Sequence, residues 1–406
     1  MRRLTERLSI SSQVFGKGDL SDAHHKLLES KLELANKRLN LEALMIWGAI
    51  SDRSINRIVS ACLKYDVEPH LWYPVLADTP VDSTEGLETE GLRAAEIIEV
   101  SDEQVKTGES FTFLCPSKAL LSENLISRFT GILSRHVFKG VFLDRIRFPG
   151  PTNGFGGLFS CFCKQCSDYA GEDILKDARM NYEKLFSTLK RARTPDELRV
   201  ILEEGIKRLV GFYQMRESLV EGIVAQYSSQ ARSQGLSVGL DLFAPSLAPL
   251  VSQNYRELSK YADWMKPMLY CKTFGPAGLP AEVLALADII GAMTPHLNRN
   301  SVLEGLCLFL GIESAGVISS DGLPLSNFPK QLDIIHAKEI ADGIGFYPGF
   351  EAVDFPPVYS MDHEHLDFYL RSCADYGISG IVLSWDICKM RNETIEFVGD
   401  FIERSR

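Results

Sequence analysis

The feature that most constrains this chain is an alternation. Eight short apolar runs recur along it, each followed by a stretch with helical periodicity. The runs are residues 43–50, 70–75, 111–115, 140–144, 237–243, 263–270, 343–347 and 380–385. Runs of this length suit parallel strands covered on both faces. Between them, residues 54–65 place Ile55, Ile58, Val59, Cys62 and Leu63 on one stripe. Residues 122–137 do the same with Leu125, Ile126, Phe129, Ile132 and Leu133, behind Ser122 as a candidate N-cap. Residues 363–376 and 392–406 repeat the scheme after the last two strands. Eight such units predict an α/β fold closed into a (β/α)8 TIM barrel. No G-x-G-x-x-G follows the first run, which removes the main argument for an open dinucleotide-binding sheet.

Two segments exceed the minimal repeat. Residues 150–235 join strands four and five; they begin in the Gly-rich PGPTNGFGG and continue as long helices. Within them, Thr194, Pro195, Asp196 and Glu197 form a capping box with Pro at the first helical position. Residues 294–335 form a second stretch, after strand six. With no other repeat and no low-complexity linker, residues 1–406 read as a single barrel domain carrying both segments as helical insertions.

The formal net charge of −11 disfavours nucleic acid and anionic membranes as partners. The N-terminus has two arginines but no apolar core of a secretory signal, and no window approaches 18 uninterrupted apolar residues. The expected compartment is the cytoplasm, with no membrane partner.

In barrels of this type the active site lies at the C-terminal ends of the strands. Asp144 ends strand four, Asp241 lies near the end of strand five, Glu351 follows strand seven and Asp386 closes strand eight. The period of two puts Phe142 with Asp144, Gly239 with Asp241, and Trp264 with Lys266, Met268 and Tyr270. Asp144, Asp241, Lys266 and Tyr270 therefore converge on the barrel mouth. Carboxylates flanked by aromatics read as sugar chemistry, because glycoside hydrolysis needs one protonated and one ionised carboxyl group. Trp47, Trp72, Tyr73, Tyr270, Tyr347 and Trp385 are candidate platforms for sugar faces. Arg145 and Arg147 adjoin Asp144, and a nearby guanidinium favours the ionised carboxylate, so Asp144 is expected as nucleophile or charge stabiliser. Glu351 is the first choice for the acid, followed by Asp241 and Asp386.

Lys266 needs a partner if buried. It either pairs with Asp241 or Asp144, or serves as a Schiff-base nucleophile, which would make the protein a lyase or aldolase. A third reading is a catalytically inactive barrel that binds carbohydrate. The loops after strands seven and eight lack a Gly-rich anion cradle, which counts against a sugar-phosphate isomerase. Nine cysteines are present. Six of them, Cys115 included, are scattered and read mostly as buried thiols. Cys161, Cys163 and Cys166 lie together and would hold a structural zinc if Asp168 or a distant cysteine supplied a fourth ligand. Catalysis itself requires no cofactor.

The string VFLDRIRFP at 141–149 resembles the motif Asp, then an aromatic residue or Arg, then Ile-Arg-Phe-Pro, of glycoside-hydrolase-like barrels of bacteria. DWMKPMLY at 263–270 is similar to their strand-six Pro-Met-x-Tyr motif, and FLCPS at 113–117 to their turn after strand three. The Cys-x-Cys-x-x-Cys run also occurs in some of them. The resemblance covers roughly residues 40–390. It implies a barrel glycosidase acting on a carbohydrate or glycoside, and it identifies neither the acid, the nucleophile nor the sugar.

Overall fold

The computed structural model describes residues 8–81, 83–94, 111–314, 318, 321–337 and 343–405. The N-terminal residues 1–7 and part of the stretch 294–335 lie outside them. Nine parallel strands form one sheet: β1 (Ser9–Val14), β2 (Ala43–Trp47), β3 (Glu68–Pro74), β4 (Gly140–Asp144), β5 (Ser237–Leu242), β6 (Trp264–Pro267), β7 (Gly345–Phe346), β8 (Gly349–Glu351) and β9 (Gly380–Ser384). Their order is β7-β6-β5-β4-β3-β2-β1-β9-β8. The two ends of this order are pieces of one run of chain, split where Pro348 has no N–H to give to a ladder. Met268, just past β6, bridges to Gly349 of β8, and the Leu269 N–H donates to the Gly349 carbonyl at 2.9 Å. The sheet thus curls until its ends meet, as an α/β barrel.

The expected count of eight came from two compensating differences. Residues 111–115 are not a barrel strand; Phe113 and Leu114 make only isolated antiparallel bridges, to Ala77 and Glu88. The first strand is instead Ser9–Val14, which pairs with β2 and β9. Its sequence SISSQV carries too many polar residues to read as an apolar run, although all but Ser9 are buried. The helices follow the sequence closely. Asp52–Lys64 is capped by the Ser51 side chain, Pro195–Arg208 by Thr194 and His363–Asp375 by Asp362. Ser122 takes the N-cap position of Glu123–Arg135 without a side-chain bond.

Between β4 and β5 the chain runs through the long helices Glu172–Leu189, Pro195–Arg208 and Val210–Ser233. Arg299–Leu310, from the second long segment, packs on Pro195–Arg208. Gly305 permits this contact: a Cβ there would fall 2.8 Å from the Pro195 carbonyl oxygen.

Glycines also decide what fills the barrel. A Cβ on Gly239 would lie 2.2 Å from the Trp264 ring, and one on Gly380 2.2 Å from the Tyr347 ring. The space they leave lets Trp264 stack on both Phe142 and Tyr347, with centroids 5.1 and 5.6 Å apart. This aromatic plug closes the lower barrel. One layer higher, Gly349 leaves room for the Lys266 stem.

Candidate functional site

Above the plug, at the C-terminal ends of the strands, opens a cavity of about 420 Å³. It brings together Asp144, Asp241, Asp386, Lys266, Tyr270, Arg145, Arg147, Trp47, Trp72 and Trp385. Tyr73, Tyr347 and Glu351 are not part of its lining.

The polar centre comes from β4, β5 and β6. Asp144 accepts from the Trp72 indole N–H at 2.9 Å and from the Arg145 backbone N–H at 2.5 Å, so both of its oxygens are engaged. On the neighbouring strand Asp241 faces Lys266, with Oδ2 3.2 Å from Nζ. The lysine is 1 % exposed and also donates to Tyr270 at 2.8 Å and to Gln13 at 3.5 Å. Burial pushes the Asp241 carboxyl up to about 7; the Lys266 charge pulls it down, and the nearby Asp144 raises it again. Burial alone would lower the Lys266 pKa, but Asp241 and Tyr270 outweigh it, and the net direction is upward. Lys266 is thereby held as an ammonium, the wrong form for a Schiff-base nucleophile. Burial raises Tyr270 to about 12 and Asp386 to about 6. Asp386 also caps the short turn Ile387–Lys389, accepting from the Cys388 N–H at 3.0 Å.

Arg145 Nη1 aside, which is ion-paired with Asp78, three buried polar atoms of cavity-lining residues have no hydrogen-bond partner: Gln13 Nε2, Trp47 Nε1 and Asp241 Oδ1. Buried polar atoms are normally satisfied, so two donors and one acceptor at a cavity are an invitation to a ligand rich in hydroxyls. Aromatic surface surrounds them. Phe15 packs on Trp47 at 5.0 Å, Trp47 meets Trp72 edge-on at 4.6 Å, and Phe355 lies 6.4 Å from Trp385. Phe15 and Phe355 are 39 % and 42 % exposed, as rim platforms would be.

The two arginines point elsewhere than expected. The Arg145 guanidinium lies 3.0 Å from Asp78 and stacks over Phe111 at 3.9 Å. Its backbone takes the left-handed conformation, φ 54°, which turns the chain sharply just after Asp144. The Arg147 guanidinium sits between the rings of Phe113 and Phe243, at 4.6 and 4.2 Å.

Glu351 is fully buried behind the cavity wall. Its Oε1 accepts from the Lys272 and Thr273 N–H groups and from the Thr273 hydroxyl, at 2.9, 3.0 and 3.0 Å. It fastens the loop after β6. Tyr73 points outward from β3 into the layer between sheet and helices, against Phe129 and Tyr227. Tyr347 belongs to the plug beneath the cavity. Sequence reasoning missed Gln13 and Phe15 with the first strand itself. It also missed Glu282, a buried acid that accepts from the Thr152 N–H and hydroxyl and the Ala277 N–H, tying the loop after β4 to the loop after β6. Nothing in the helical pattern around Glu282 marks it.

The cysteine run gains a member from the preceding loop. The sulfurs of Cys115, Cys161, Cys163 and Cys166 all lie within 4.8 Å of one another, and all four residues are buried. Asp168 is exposed.

No family model matches this chain, and no curated protein matches it. Solved structures do. The glycoside hydrolase domain of PgaB (BpsB) from Bordetella bronchiseptica superposes with a TM-score of 0.51 at 12 % identity, over 98 % of this chain and 97 % of that one. The catalytic domain of a beta-amylase from Paenibacillus polymyxa gives 0.52 at 10 % identity, over 99 % and 100 %. At such identities the likeness is one of fold: the chain shares the α/β barrel of these two structures. Among the described residues no helix is long and apolar enough to cross a membrane.

Proposed function

We propose that this protein is a glycoside hydrolase, with Asp241 as the proton donor and Asp144 as the carboxylate that faces the developing positive charge. The observation that carries this reading is the pair itself. Two carboxyl groups stand side by side on β4 and β5 at the floor of an aromatic-walled cavity, in contrasting environments. Asp144 is gripped by two N–H donors, one on each of its oxygens, which fix its orientation. Asp241 is pushed by burial to about 7, close to the value that suits a general acid at neutral pH. An acid raised by burial beside a carboxylate held by two N–H donors suits the division of labour that such sites need. Protonation of the glycosidic oxygen by Asp241 would release the leaving group while Asp144 stabilises or attacks the sugar cation.

The substrate is a carbohydrate or glycoside whose hydroxyls meet Gln13, Trp47 and Lys266 and whose ring faces lie on Trp385, Phe15 or Phe355. A panel of aryl glycosides differing in sugar and anomer tests this, with Asp144→Asn and Asp241→Asn beside the wild type. Hydrolysis of at least one glycoside, lost in Asp144→Asn, is expected. Undiminished turnover by Asp144→Asn sinks the assignment. Binding without turnover in every variant would leave a carbohydrate-binding barrel instead.

A further inference from the structure

We infer that Cys115, Cys161, Cys163 and Cys166 form a tetrahedral four-thiolate zinc site that clamps the loop after β3 to the loop after β4 and so fixes one wall of the cavity. The site stands apart from the carboxylates, and the inference holds whatever the barrel acts on.

The geometry is that of a mononuclear site. Four sulfurs about 2.3 Å from a central zinc stand roughly 3.8 Å from one another. Here Cys115 lies 3.6 Å from Cys163 and 3.4 Å from Cys166, and no pair of the four exceeds 4.8 Å. Shifts of a few tenths of an ångström for Cys115 against Cys163 and Cys166, and of no more than about 1 Å for any other pair, separate these sulfurs from a tetrahedron around one ion. A disulfide needs about 2.05 Å between sulfurs, well short of the separations of Cys115 from Cys163 and Cys166. An iron–sulfur cluster, with sulfides between its irons, needs the thiolates farther apart.

The surroundings suit thiolates too. The Glu90 N–H points at Cys161 Sγ at 3.3 Å, and the Cys166 N–H at Cys163 Sγ at 3.4 Å. The Ser117 hydroxyl lies 3.0 and 3.2 Å from Cys115 and Cys166. Such donors steady sulfur ligands from outside the coordination sphere. Binding would release one proton from each cysteine still in the thiol form, leaving two negative charges on the centre beside Lys118.

The consequence for the cavity follows from chain position. Cys115 ends the segment that carries Phe111 and Phe113, the rings under Arg145 and Arg147. Phe111 and both arginines line the cavity. That segment is held by isolated bridges, not by a barrel ladder, so a cross-link at its end has much to hold.

The test is metal analysis of the full-length protein grown in zinc-supplemented medium. One zinc per chain is expected in wild type, in Cys62→Ser and in Asp168→Ala. Loss of most of that zinc is expected in Cys163→Ser. Because Cys163→Ser can fail to fold, the wild type is also exchanged with cobalt(II). Intense thiolate-to-cobalt charge-transfer bands together with tetrahedral d–d bands support the site. A folded wild-type protein with far less than one zinc and no such bands overturns it. So does stoichiometric iron, a disulfide within the cluster, or zinc retained in a folded Cys163→Ser.

Discussion

The floor of the cavity and the loop behind its wall each bury a carboxyl group, and the two are held in opposite ways. Asp241 on the floor makes one ion pair and leaves Oδ1 without a partner beside open space. Glu351 behind the wall directs one oxygen at three donors from the loop after β6; its other oxygen also lacks a hydrogen-bond partner, but Glu351 does not line the cavity. Both are raised by burial. A displaced pKa therefore does not by itself separate a reactive acid from a structural one; what each oxygen is bonded to, and whether it faces a cavity, does.

The comparison breaks most sharply on activity. Asp144→Asn is expected to lower kcat/KM for the best aryl glycoside by about 100-fold or more. Glu351→Gln, which keeps the Oε1 acceptor, should stay within about tenfold of wild type. The reverse order would restore Glu351 as the acid. On stability the ranking inverts. Glu351→Ala leaves three buried donors without an acceptor and should cost about 3 kcal/mol or more in denaturant unfolding. Asp144→Asn should change stability far less.

Next comes pH. The Asp241 carboxyl titrates near 7 in the folded protein against 3.8 ordinarily. A raised pKa means that the folded state binds this proton more tightly. The resulting stability is fully present below about pH 4 and is lost as pH rises through about 7, on the order of a few kcal/mol in all. Urea titrations across that range should show the slope in wild type and a flatter profile in Asp241→Asn. Equal slopes would remove the raised acid from the argument. A smaller effect is expected from Trp72→Phe, which deletes the N–H bond to Asp144: about threefold to tenfold in kcat/KM with little change in stability. The smallest belongs to Tyr73→Phe. Its hydroxyl is buried without a partner, so the variant should match wild type in activity and be equal or slightly higher in melting temperature. A marked loss of turnover would place Tyr73 back at the site.

Much of this was legible in the sequence where the controlling physics is local. Strand period two put Asp144, Asp241, Lys266 and Tyr270 on inward faces, and the cavity contains all four. The start of the helix Pro195–Arg208 followed from the capping box at Thr194. The same strand rule turns Tyr73 outward, since it alternates with the inward Trp72 on β3. The first strand, SISSQV, carries no continuous apolar run. A barrel strand whose inner face meets a polar cavity carries Gln13 and serines instead.

The remainder depended on distance in space between residues far apart in sequence. No local pattern tells that Glu351 meets Thr273, that Glu282 meets Thr152, or that Arg145 turns to Asp78. Nor does spacing bring Cys115 to a cluster that begins at Cys161. The repeating unit, its polarity and the inward-facing strand residues are readable along the chain, because they follow from backbone periodicity and the burial of apolar faces. Which acid meets open space and which is engaged by neighbouring N–H groups emerges from the folded arrangement, because a carboxylate's role is set by the donors that the loops of other units bring to it.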